Sequence, residues 1–283
     1  MNEKKTFVVI LNYNSSADVE KCLIYLKRQT YTNLSIIVVD NASPSDDERH
    51  SVEKICVTYK VGFIQSDVNN GFSAGNNLGL EEAVKNGAVW CLVINPDVEL
   101  RNSEYIRTVL VKVLEYPQAV VIGTDVRMPD GTRQNPMREC TYREDLLWPL
   151  DLVRRKTGLW KGYLAADCTG YCEKVSGCCF FIKATFLIEN GFLDDTVFMY
   201  CEEPILARQV RYRGYRELYI KELTANHQHF SSHKHANSKR MIMLTMSRSY
   251  YLSNYSGYSG IMLKAVLISK KIQKWVWQLR GNP

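Results

Sequence analysis

The sequence predicts an α/β protein built on a mostly parallel, doubly wound sheet. From residue 7 onward, short apolar runs rich in Val and Ile alternate with amphipathic segments, which is the pattern of strands buried on both faces and separated by helices. The 283 residues are 46% hydrophobic and 23% charged, which is typical of globular proteins. This length is enough for one large domain or two small ones and for a sizeable core, so we expect a compact fold of enzyme size.

The first half of the chain supplies most of the predicted elements. Strands are predicted at residues 7–11, 35–39, 62–64, 89–94 and 119–123. Helices are predicted at 16–29, 74–87 and 103–115, and Gly87 is suited to cap the second of them. Residues 127–174 have no clear periodicity. A further strand at 216–221 follows a helix that ends near Arg213.

Polar side chains come directly after four of the predicted strands. They are Asn12-Tyr13-Asn14, Asp40-Asn41, Asp67 with Asn69-Asn70, and Asn95-Pro96-Asp97. Asn and Asp are also common turn formers, so any one of these sites has an ordinary explanation. Together, however, they predict a ligand-binding rim, because parallel strands end at the same edge of a sheet.

A glycine-rich segment, residues 69–79, links the third strand to its helix. Gly71, Gly75 and Gly79 recur at every fourth residue, which predicts a turn leading into a helix with a face of small residues. The helix N-terminus could then meet a phosphate, or the helix could pack closely on the sheet. The segment is not a GxGxxG motif, and it lacks the Gly-Lys pair of a P-loop. Dinucleotide oxidoreductases and P-loop NTPases are therefore disfavoured.

These residues resemble those of the family 2 glycosyltransferases of the GT-A fold, and most closely the rhamnosyltransferase-type enzymes that build bacterial surface polysaccharides. The matching blocks are FVVILNYNS (7–15), SIIVVDNAS (35–43), NNGFSAGNNLG (69–79), LVINPDVEL (92–100), VSGCCFFIKATFLIENGFLDD (175–195), VFMYCEEPILARQVRYRGY (197–215) and the histidines of 227–235. The resemblance spans about residues 6–235. It implies a Rossmann-like GT-A sheet with insertions on the acceptor side and a helical C-terminal extension.

The resemblance implies a site for a nucleoside-diphosphate sugar as donor. Its residues would be Tyr13, Asn14, Asp40, Asn70, Gly71, Asn76 and Asp97. Tyr13 would stack on the base, and Asp40 would accept a hydrogen bond from the base or the ribose. Packing for Tyr13 and helix capping for Asn76 are the alternative roles. The base, whether that of UDP, dTDP or GDP, is left open.

A divalent cation, Mg²⁺ or Mn²⁺, is implied on the donor diphosphate. Asp97 matches the metal-binding aspartate of the family, whereas we expect Glu99 to face solvent. The family also places a histidine at the metal or diphosphate; His227 fits best, and His229 is the second candidate. A zinc site made of histidines and an ordinary polar loop are the alternatives for this cluster.

The resemblance also places the catalytic carboxylates at Glu202 and Glu203. Glu203 would be the general base that deprotonates the acceptor hydroxyl in an inverting transfer. Pro204 would lie in the first turn of a helix, so that Glu203 is near a helix N-terminus. The chain departs from the family pattern twice, since Glu203 replaces the usual Asp and Ile205 stands where a second Asp is common.

The acceptor implied by the resemblance is a glycan or a polyprenyl-diphosphate-linked molecule. Residues 1–235 would form the GT-A domain, divided into a nucleotide-sugar half (1–126) and an acceptor half (127–235), with a basic helical extension at 236–283. A homodimer is compatible with the sequence. The alternatives are a sugar nucleotidyltransferase and a non-catalytic subunit that binds nucleotide sugars. The former normally needs a basic glycine-rich loop after the first strand, but here no basic residue occurs there before Lys21.

The positive charge of the protein is concentrated at the C-terminal end. No Asp or Glu follows Glu222, whereas nine basic residues do: Lys234, Lys239, Arg240, Arg248, Lys264, Lys270, Lys271, Lys274 and Arg280. Residues 261–280 predict an amphipathic helix with an apolar face formed by Ile261, Ala265, Ile268, Ile272, Trp275 and Leu279. Such a helix suits peripheral contact with an anionic membrane. Packing on the catalytic domain or on a dimer partner is the alternative.

Cysteine usage and the N-terminus predict a cytoplasmic protein. The nine cysteines form an odd set, and only five apolar residues follow the charged N-terminus, which does not resemble a secretion signal. Buried free thiols are favoured over zinc for the cluster at Cys168, Cys172, Cys178 and Cys179. We expect no nucleic-acid partner, and any membrane contact is expected to be peripheral, on the inner face.

Overall fold

The computed structural model describes residues 3–159, 162, 164, 166–228 and 238–281. The strands are β1 Thr6–Asn12, β2 Leu34–Asp40, β3 Gly62–Gln65, β4 Trp90–Ile94, β5 Val98–Glu99, β6 Ala119–Arg127, β7 Gly170–Cys172, β8 Cys179–Lys183 and β9 Arg216–His227. The α-helices are α1 Ser16–Leu26, α2 Asp46–Tyr59, α3 Phe72–Lys85, α4 Tyr105–Lys112, α5 Tyr142–Leu146, α6 Trp148–Lys156, α7 Ala184–Asn190, α8 Glu202–Tyr212, α9 Ser238–Asn254 and α10 Gly260–Gly281.

The described strands form one sheet in the order β3-β2-β1-β4-β8-β6-β9-β5, with β7 pairing beside β9. Strands β1 to β4 pair in parallel, as predicted, and helices connect them. Strand β8 runs antiparallel between β4 and β6, and it joins the parallel nucleotide half to the parallel pair of β6 and β9. The α/β architecture with its central, mostly parallel sheet is confirmed.

The core lies on both faces of the sheet because side chains alternate along each strand. Val8 and Ile10 of β1 pack in one apolar cluster, which contains buried side chains of α1, α2 and α4. Val9, between them, packs in the opposite cluster with Leu80 and Ala83 of α3. The prediction that β1 is buried on both faces is therefore confirmed.

Strands β5, β7 and β8 and helices α2, α5, α6 and α7 were not predicted, and β9 is longer than expected. Helix α2 was not predicted, because its sequence is largely polar and it buries only Val52 and Cys56. Strand β9 extends six residues beyond the predicted end at residue 221, because its far end pairs with β6 and with the short strand β5. This extension makes His227 the last residue of a strand instead of part of a loop.

Helices α9 and α10 pack against each other and against the acceptor half of the chain. A third apolar cluster contains Ile205 of α8 together with Tyr251, Leu252 and Val266 of the two C-terminal helices. Ile205 is thus a buried core residue, and at this position the chain has apolar packing where the family pattern often has a carboxylate. The division at residue 236 stays a prediction. Among the described residues, no helix is long and apolar enough to cross a membrane.

Candidate active site

The rim at the carboxyl ends of β1 and β2 is held by a buried carboxylate. Asn12 and Asp40 lie opposite each other in the strand register, and Asn12 Nδ2 donates to Asp40 Oδ1 at 2.7 Å. Asp40 also accepts from the backbone N–H and the hydroxyl of Ser43 and from the Gln65 amide, at 3.0, 2.6 and 2.8 Å. The fully buried carboxylate therefore anchors the loops of the rim. Direct contact with a nucleotide would require one of these donors to leave.

Tyr13 and Asn14 follow β1 and form the exposed part of this rim. Tyr13 is 51% exposed, so about half of the residue is open to a partner. Asn14 adopts a left-handed backbone conformation, with φ at 56°, and its N–H donates to Ser43 Oγ at 2.9 Å. The arrangement leaves the Tyr13 ring available for stacking on a base.

The glycine-rich segment touches the polypeptide that leads to the predicted catalytic pair. Gly71 has φ at +100°, and a Cβ there would lie 2.1 Å from the carbonyl oxygen of Phe198. The Phe72 N–H donates to that same oxygen at 2.9 Å. Asn41 Nδ2 donates to the Gly71 carbonyl at 3.1 Å, whereas Asn70 is exposed beside it. The start of α3 is thereby fixed between the rim and the segment before α8.

We expect Gly71→Ala to destabilise the protein by about 2–4 kcal/mol, because the new methyl group meets Phe198 and the backbone is strained at positive φ. Gly87→Ala is the matched control, since Gly87 has φ at +79° but a Cβ there would meet nothing within 4 Å. Urea denaturation measures both variants. If both variants lost the same free energy of unfolding, the close approach of Phe198 would not be the reason that position 71 needs glycine.

The other two glycines of the segment let α3 approach the sheet. A Cβ at Gly75 would lie 2.6 Å from Leu11 Cδ1, and one at Gly79 would lie 2.5 Å from Val9 Cγ1. Of the two predicted uses of the small-residue face, close packing on β1 is the one observed. Asn76 is fully buried within α3, where its Nδ2 donates to the Phe72 carbonyl at 2.9 Å and its Oδ1 has no hydrogen-bond partner in the described structure.

Asp97 and His227 come together because β5 pairs with the end of β9. Val98 lies opposite His227 in the register, and the Gln228 N–H donates to the Asp97 carbonyl at 2.8 Å. His227 Nε2 lies 3.2 Å from Asp97 Oδ1. On the other side of the ring, Nδ1 lies 2.7 Å from Gln134 Oε1. Burial lowers the pKa of His227, but its hydrogen bonds with Asp97 and Cys178 outweigh burial and raise the pKa to about 10.

Asp97 and His227 form a hydrogen-bonded pair, and they could ligate a divalent cation only after His227 loses a proton, because histidine binds metals in its neutral form. Adjacent ligands of an octahedral ion with bonds of about 2.1 Å lie about 3 Å apart, which matches the separation of these two atoms. Within the described ranges, no group of three or more His, Cys, Asp and Glu residues is arranged to hold a metal. His229 lies outside the described residues.

Glu99 is engaged elsewhere. Its Oε2 accepts hydrogen bonds from Arg101 Nε at 2.9 Å and Nη2 at 2.7 Å. This ion pair occupies the carboxylate, and it leaves Asp97 as the carboxylate that faces His227.

Glu202 and Glu203 form the first turn of α8, as the position of Pro204 predicts. The two residues before them, Tyr200 and Cys201, both have left-handed φ, at 72° and 69°. Consecutive non-glycine residues in this region store strain, which is common in the loops of functional sites. Burial and the nearby charge of Glu203 raise the pKa of Glu202 well above its ordinary value. Glu202 therefore favours its protonated form.

A small pocket lies between the start of α3 and the start of α8. Its lining includes Phe72, Ser73, Gly177, Phe180, Leu193, Asp194, Glu202 and Glu203. The Gly177 N–H donates to Glu203 Oε1 at 3.4 Å, and the next residue, Cys178, accepts the Asn95 N–H at 2.8 Å and contacts His227. Two adjacent residues thus connect the predicted base to the predicted metal pair. Sequence reasoning missed Cys178 and Gln134 as neighbours of His227, since no local pattern marks either one.

Comparison with known proteins decides the family. The sequence profile of glycosyl transferase family 2 matches residues 7–179, which is more than half of the chain. The chain belongs to glycosyltransferase family 2. The resemblance found in the sequence motifs is therefore confirmed.

Two relatives of this family 2 glycosyltransferase are themselves named as glycosyltransferases. It is 26% identical over 202 residues to the low-salt glycan biosynthesis hexosyltransferase Agl10 of Haloferax volcanii, matching 69% of the present chain and 58% of that protein. It is 22% identical over 266 residues to the N-acetylglucosaminyl-diphospho-decaprenol L-rhamnosyltransferase of Mycobacterium tuberculosis, matching 89% and 85% of the two chains. The chain thus spans only part of the first relative's length.

Solved structures confirm the GT-A fold of this glycosyltransferase. The mannosyltransferase PcManGT of Pyrobaculum calidifontis, in complex with GDP-Man and Mn²⁺, superposes with a TM-score of 0.62 at 14% identity and covers 100% of this chain and 77% of its own. TarS of S. aureus in complex with UDP-GlcNAc has a TM-score of 0.56 at 13% identity, covering 96% and 73%. At these identities the likeness shows the fold alone. The roles of the site residues stay predictions.

Proposed function

We propose that this family 2 glycosyltransferase moves a hexosyl or deoxyhexosyl residue, with inversion, from a nucleoside-diphosphate sugar to a hydroxyl group of a glycan or polyprenyl-diphosphate-linked acceptor during surface polysaccharide synthesis. The observation that carries this proposal is the connection of the Asp97–His227 pair to Glu203 through Gly177 and Cys178. If Asp97 and His227 bind a metal and Glu203 is the base, this two-residue connection would keep them near each other, and such a transfer needs both.

The donor would bind along the rim of β1, β2 and α3. Tyr13 presents an exposed ring to the base, and Asn70 is exposed in the segment before α3. Asp40 supports this surface from below by holding Asn12, Ser43 and Gln65 in place. A preformed rim lowers the entropy cost of binding, because its loops are already ordered before the nucleotide arrives.

Asp97 and His227 would hold a divalent cation, Mg²⁺ or Mn²⁺, on the donor diphosphate. Such an ion neutralises the negative charge that develops on the leaving diphosphate. The Mn²⁺ and GDP-Man in the Pyrobaculum structure support this assignment by analogy of fold. Gln134 would orient the His227 ring through Nδ1, which is the usual role of a residue behind a metal ligand.

Glu203 would act as the general base. Its carboxylate would take the proton of the acceptor hydroxyl while that oxygen attacks the anomeric carbon. The bond to the diphosphate breaks on the opposite face, so the configuration of the anomeric carbon inverts. The small pocket beside Glu203 has an apolar wall formed by Phe72, Phe180 and Leu193, which would limit access of water to the carboxylate.

Activity assays with UDP-, dTDP- and GDP-sugars in the presence of Mn²⁺ test this proposal. We expect release of nucleoside diphosphate and a glycosylated acceptor, which mass spectrometry identifies. Release of pyrophosphate from a nucleoside triphosphate and a sugar 1-phosphate would instead indicate a sugar nucleotidyltransferase. Binding of a nucleotide sugar without turnover on any acceptor would support a non-catalytic subunit.

We expect removal of divalent cations with EDTA to abolish transfer, and addition of Mg²⁺ or Mn²⁺ to restore it. The reason is that two protein ligands and the diphosphate would bind an exchangeable ion, as is usual for Mg²⁺ sites. Zn²⁺ serves as the control, since it would be the better ion for a site made of histidines. Full activity in EDTA would contradict the assignment of Asp97 as a metal ligand.

A further inference from the structure

Helix α10 exposes its apolar side and buries a more polar one. The exposed stripe, called here the apolar stripe, consists of Ile261, Ile268, Ile272, Trp275 and Leu279, which are 84, 57, 51, 59 and 57% exposed. The buried residues of the helix are Val266, Ser269, Lys270, Gln273 and Trp277. A helix on the surface of a globular protein normally has the opposite orientation, with its apolar face toward the core. The apolar side of α10 is therefore open to a binding partner.

The buried polar groups fix α10 in this orientation. Asp145 of α5 is buried, and Arg248 of α9 binds both of its oxygens at 2.9 and 2.7 Å. Lys270 Nζ lies 3.4 Å from Asp145 and 3.2 Å from Gln273 Oε1, and Ser269 Oγ donates to a backbone carbonyl of α5 at 2.7 Å. Rotating the helix to bury the apolar stripe would leave buried charges with fewer partners, which is costly. The apolar stripe is therefore a lasting feature of the surface.

Basic side chains border the apolar stripe. Lys264 lies between Ile261 and Ile268 at helical spacings of three and four residues, and Lys271 lies in the same way between Ile268 and Trp275. Both lysines are exposed, as is Arg280 near the end of the helix. Helices α9 and α10 contain no acidic residue at all. The stripe and its border thus combine exposed apolar area with positive charge.

We propose that α10 binds the surface of an anionic lipid bilayer, with the apolar stripe in the boundary between headgroups and acyl chains. Long basic side chains beside an apolar face can extend to lipid phosphates, and tryptophan favours this boundary. A second copy of the chain is disfavoured as the partner, because a symmetric dimer through the stripe would bring two sets of lysines together. Nucleic acid is also disfavoured as the partner, because its phosphates would contact the lysines but not the apolar stripe.

The C-terminal helices also contact the segment that leads to Glu203. Ser247 Oγ donates to the Met199 carbonyl at 2.7 Å, and Tyr250 donates to Asp194 at 2.8 Å. Tyr255 donates to the same carboxylate. If the proposed function is right and its acceptor is lipid-linked, the bilayer that binds α10 also carries that acceptor, and α9, which packs on α10, connects the bound helix to the segment before Glu203. The binding of α10 itself does not rest on the proposed function.

Co-sedimentation of the full chain with vesicles tests the proposal. The probes are vesicles of phosphatidylcholine with 30 mol% phosphatidylglycerol, at low and at high salt, and vesicles of phosphatidylcholine alone. We expect the chain to bind the anionic vesicles at low salt. Binding should be at least about tenfold weaker at high salt, and also at least about tenfold weaker to the neutral vesicles. The variant Ile268→Ser, Ile272→Ser, Trp275→Ser should lose binding by at least about tenfold at low salt.

The matched control is Val57→Ser, Val111→Ser, Ile188→Ser, which removes exposed apolar side chains from α2, α4 and α7. It should bind vesicles like the unchanged chain. Circular dichroism and transfer to a soluble acceptor show that both variants are folded, so failure of docking is distinguished from failure of the proposed function.

No co-sedimentation under any condition would overturn the proposal, and so would equal binding to neutral and anionic vesicles. Analytical ultracentrifugation measures the oligomeric state of the chain and of the stripe variant. A dimer that the stripe variant converts to a monomer, without vesicle binding, would assign the apolar stripe to an interface between two copies and would also overturn it.

Discussion

Replacement of Glu203 by glutamine is expected to lower kcat by about 10²–10⁴, the usual contribution of a positioned general base. Glutamine keeps the size of the side chain and can still accept the Gly177 N–H, but it cannot take the proton of the acceptor hydroxyl. Donor affinity should be nearly unchanged, because the nucleotide rim lies on other elements. Steady-state transfer assays give kcat, and calorimetry gives the dissociation constant of the nucleotide sugar.

The variant Glu202→Gln is the matched control for this experiment. Burial and the charge of Glu203 already favour the neutral form of Glu202, which glutamine imitates, so the loss of kcat should be much smaller. An unchanged kcat for Glu203→Gln would remove that residue from the role of base. A larger loss for Glu202→Gln would assign the base to Glu202.

The second large effect is expected from Asp97→Asn. Loss of the carboxylate should weaken Mn²⁺ binding and lower kcat/KM by at least about 10²-fold, because charge neutralisation by a bound ion is worth several kcal/mol. The substitution also removes a group that raises the pKa of His227, so this pKa should fall from about 10 toward its ordinary value. Calorimetric titration with Mn²⁺ and NMR titration of the histidine measure the two effects.

Glu99→Gln is the control for the metal-site variant. Glu99 lies two residues from Asp97, but its carboxylate is paired with Arg101, so Mn²⁺ binding and kcat/KM should change little. If Glu99→Gln weakened Mn²⁺ binding as strongly as Asp97→Asn, the ion would be held differently from the proposed pair. An Asp97→Asn variant with normal Mn²⁺ binding would exclude Asp97 as a ligand.

Much of the nucleotide half could be predicted from the sequence, because its elements are strongly patterned. The run of β-branched residues in β1 has to be buried on both faces, and the alternation with amphipathic segments leads to parallel pairing. The rim follows from that pairing. Asn12 and Asp40 meet because adjacent parallel strands end together, although nothing local predicts how completely the Asp40 carboxylate is engaged within the protein.

The acceptor half was harder to predict because long-range pairing determines its structure. Strand β9 extends to His227 only because β5 and β6 offer partners for its backbone. Gln134 reaches the His227 ring from a segment without periodicity, and only the folded chain brings the two within 2.7 Å. Helix α2 shows the reverse case, in which a polar surface helix forms although its apolar pattern is weak.

Helix α10 shows most clearly what the sequence determines and what the tertiary structure determines. The sequence by itself determined that residues 261–280 form an amphipathic, acid-free helix with an apolar face of Ile261, Ala265, Ile268, Ile272, Trp275 and Leu279. It left open whether that face packs inward or points outward, since both orientations satisfy the same periodicity. Only the tertiary structure decided this, because the buried carboxylate of Asp145 binds Arg248 and Lys270 and so holds the polar side of α10 against the protein.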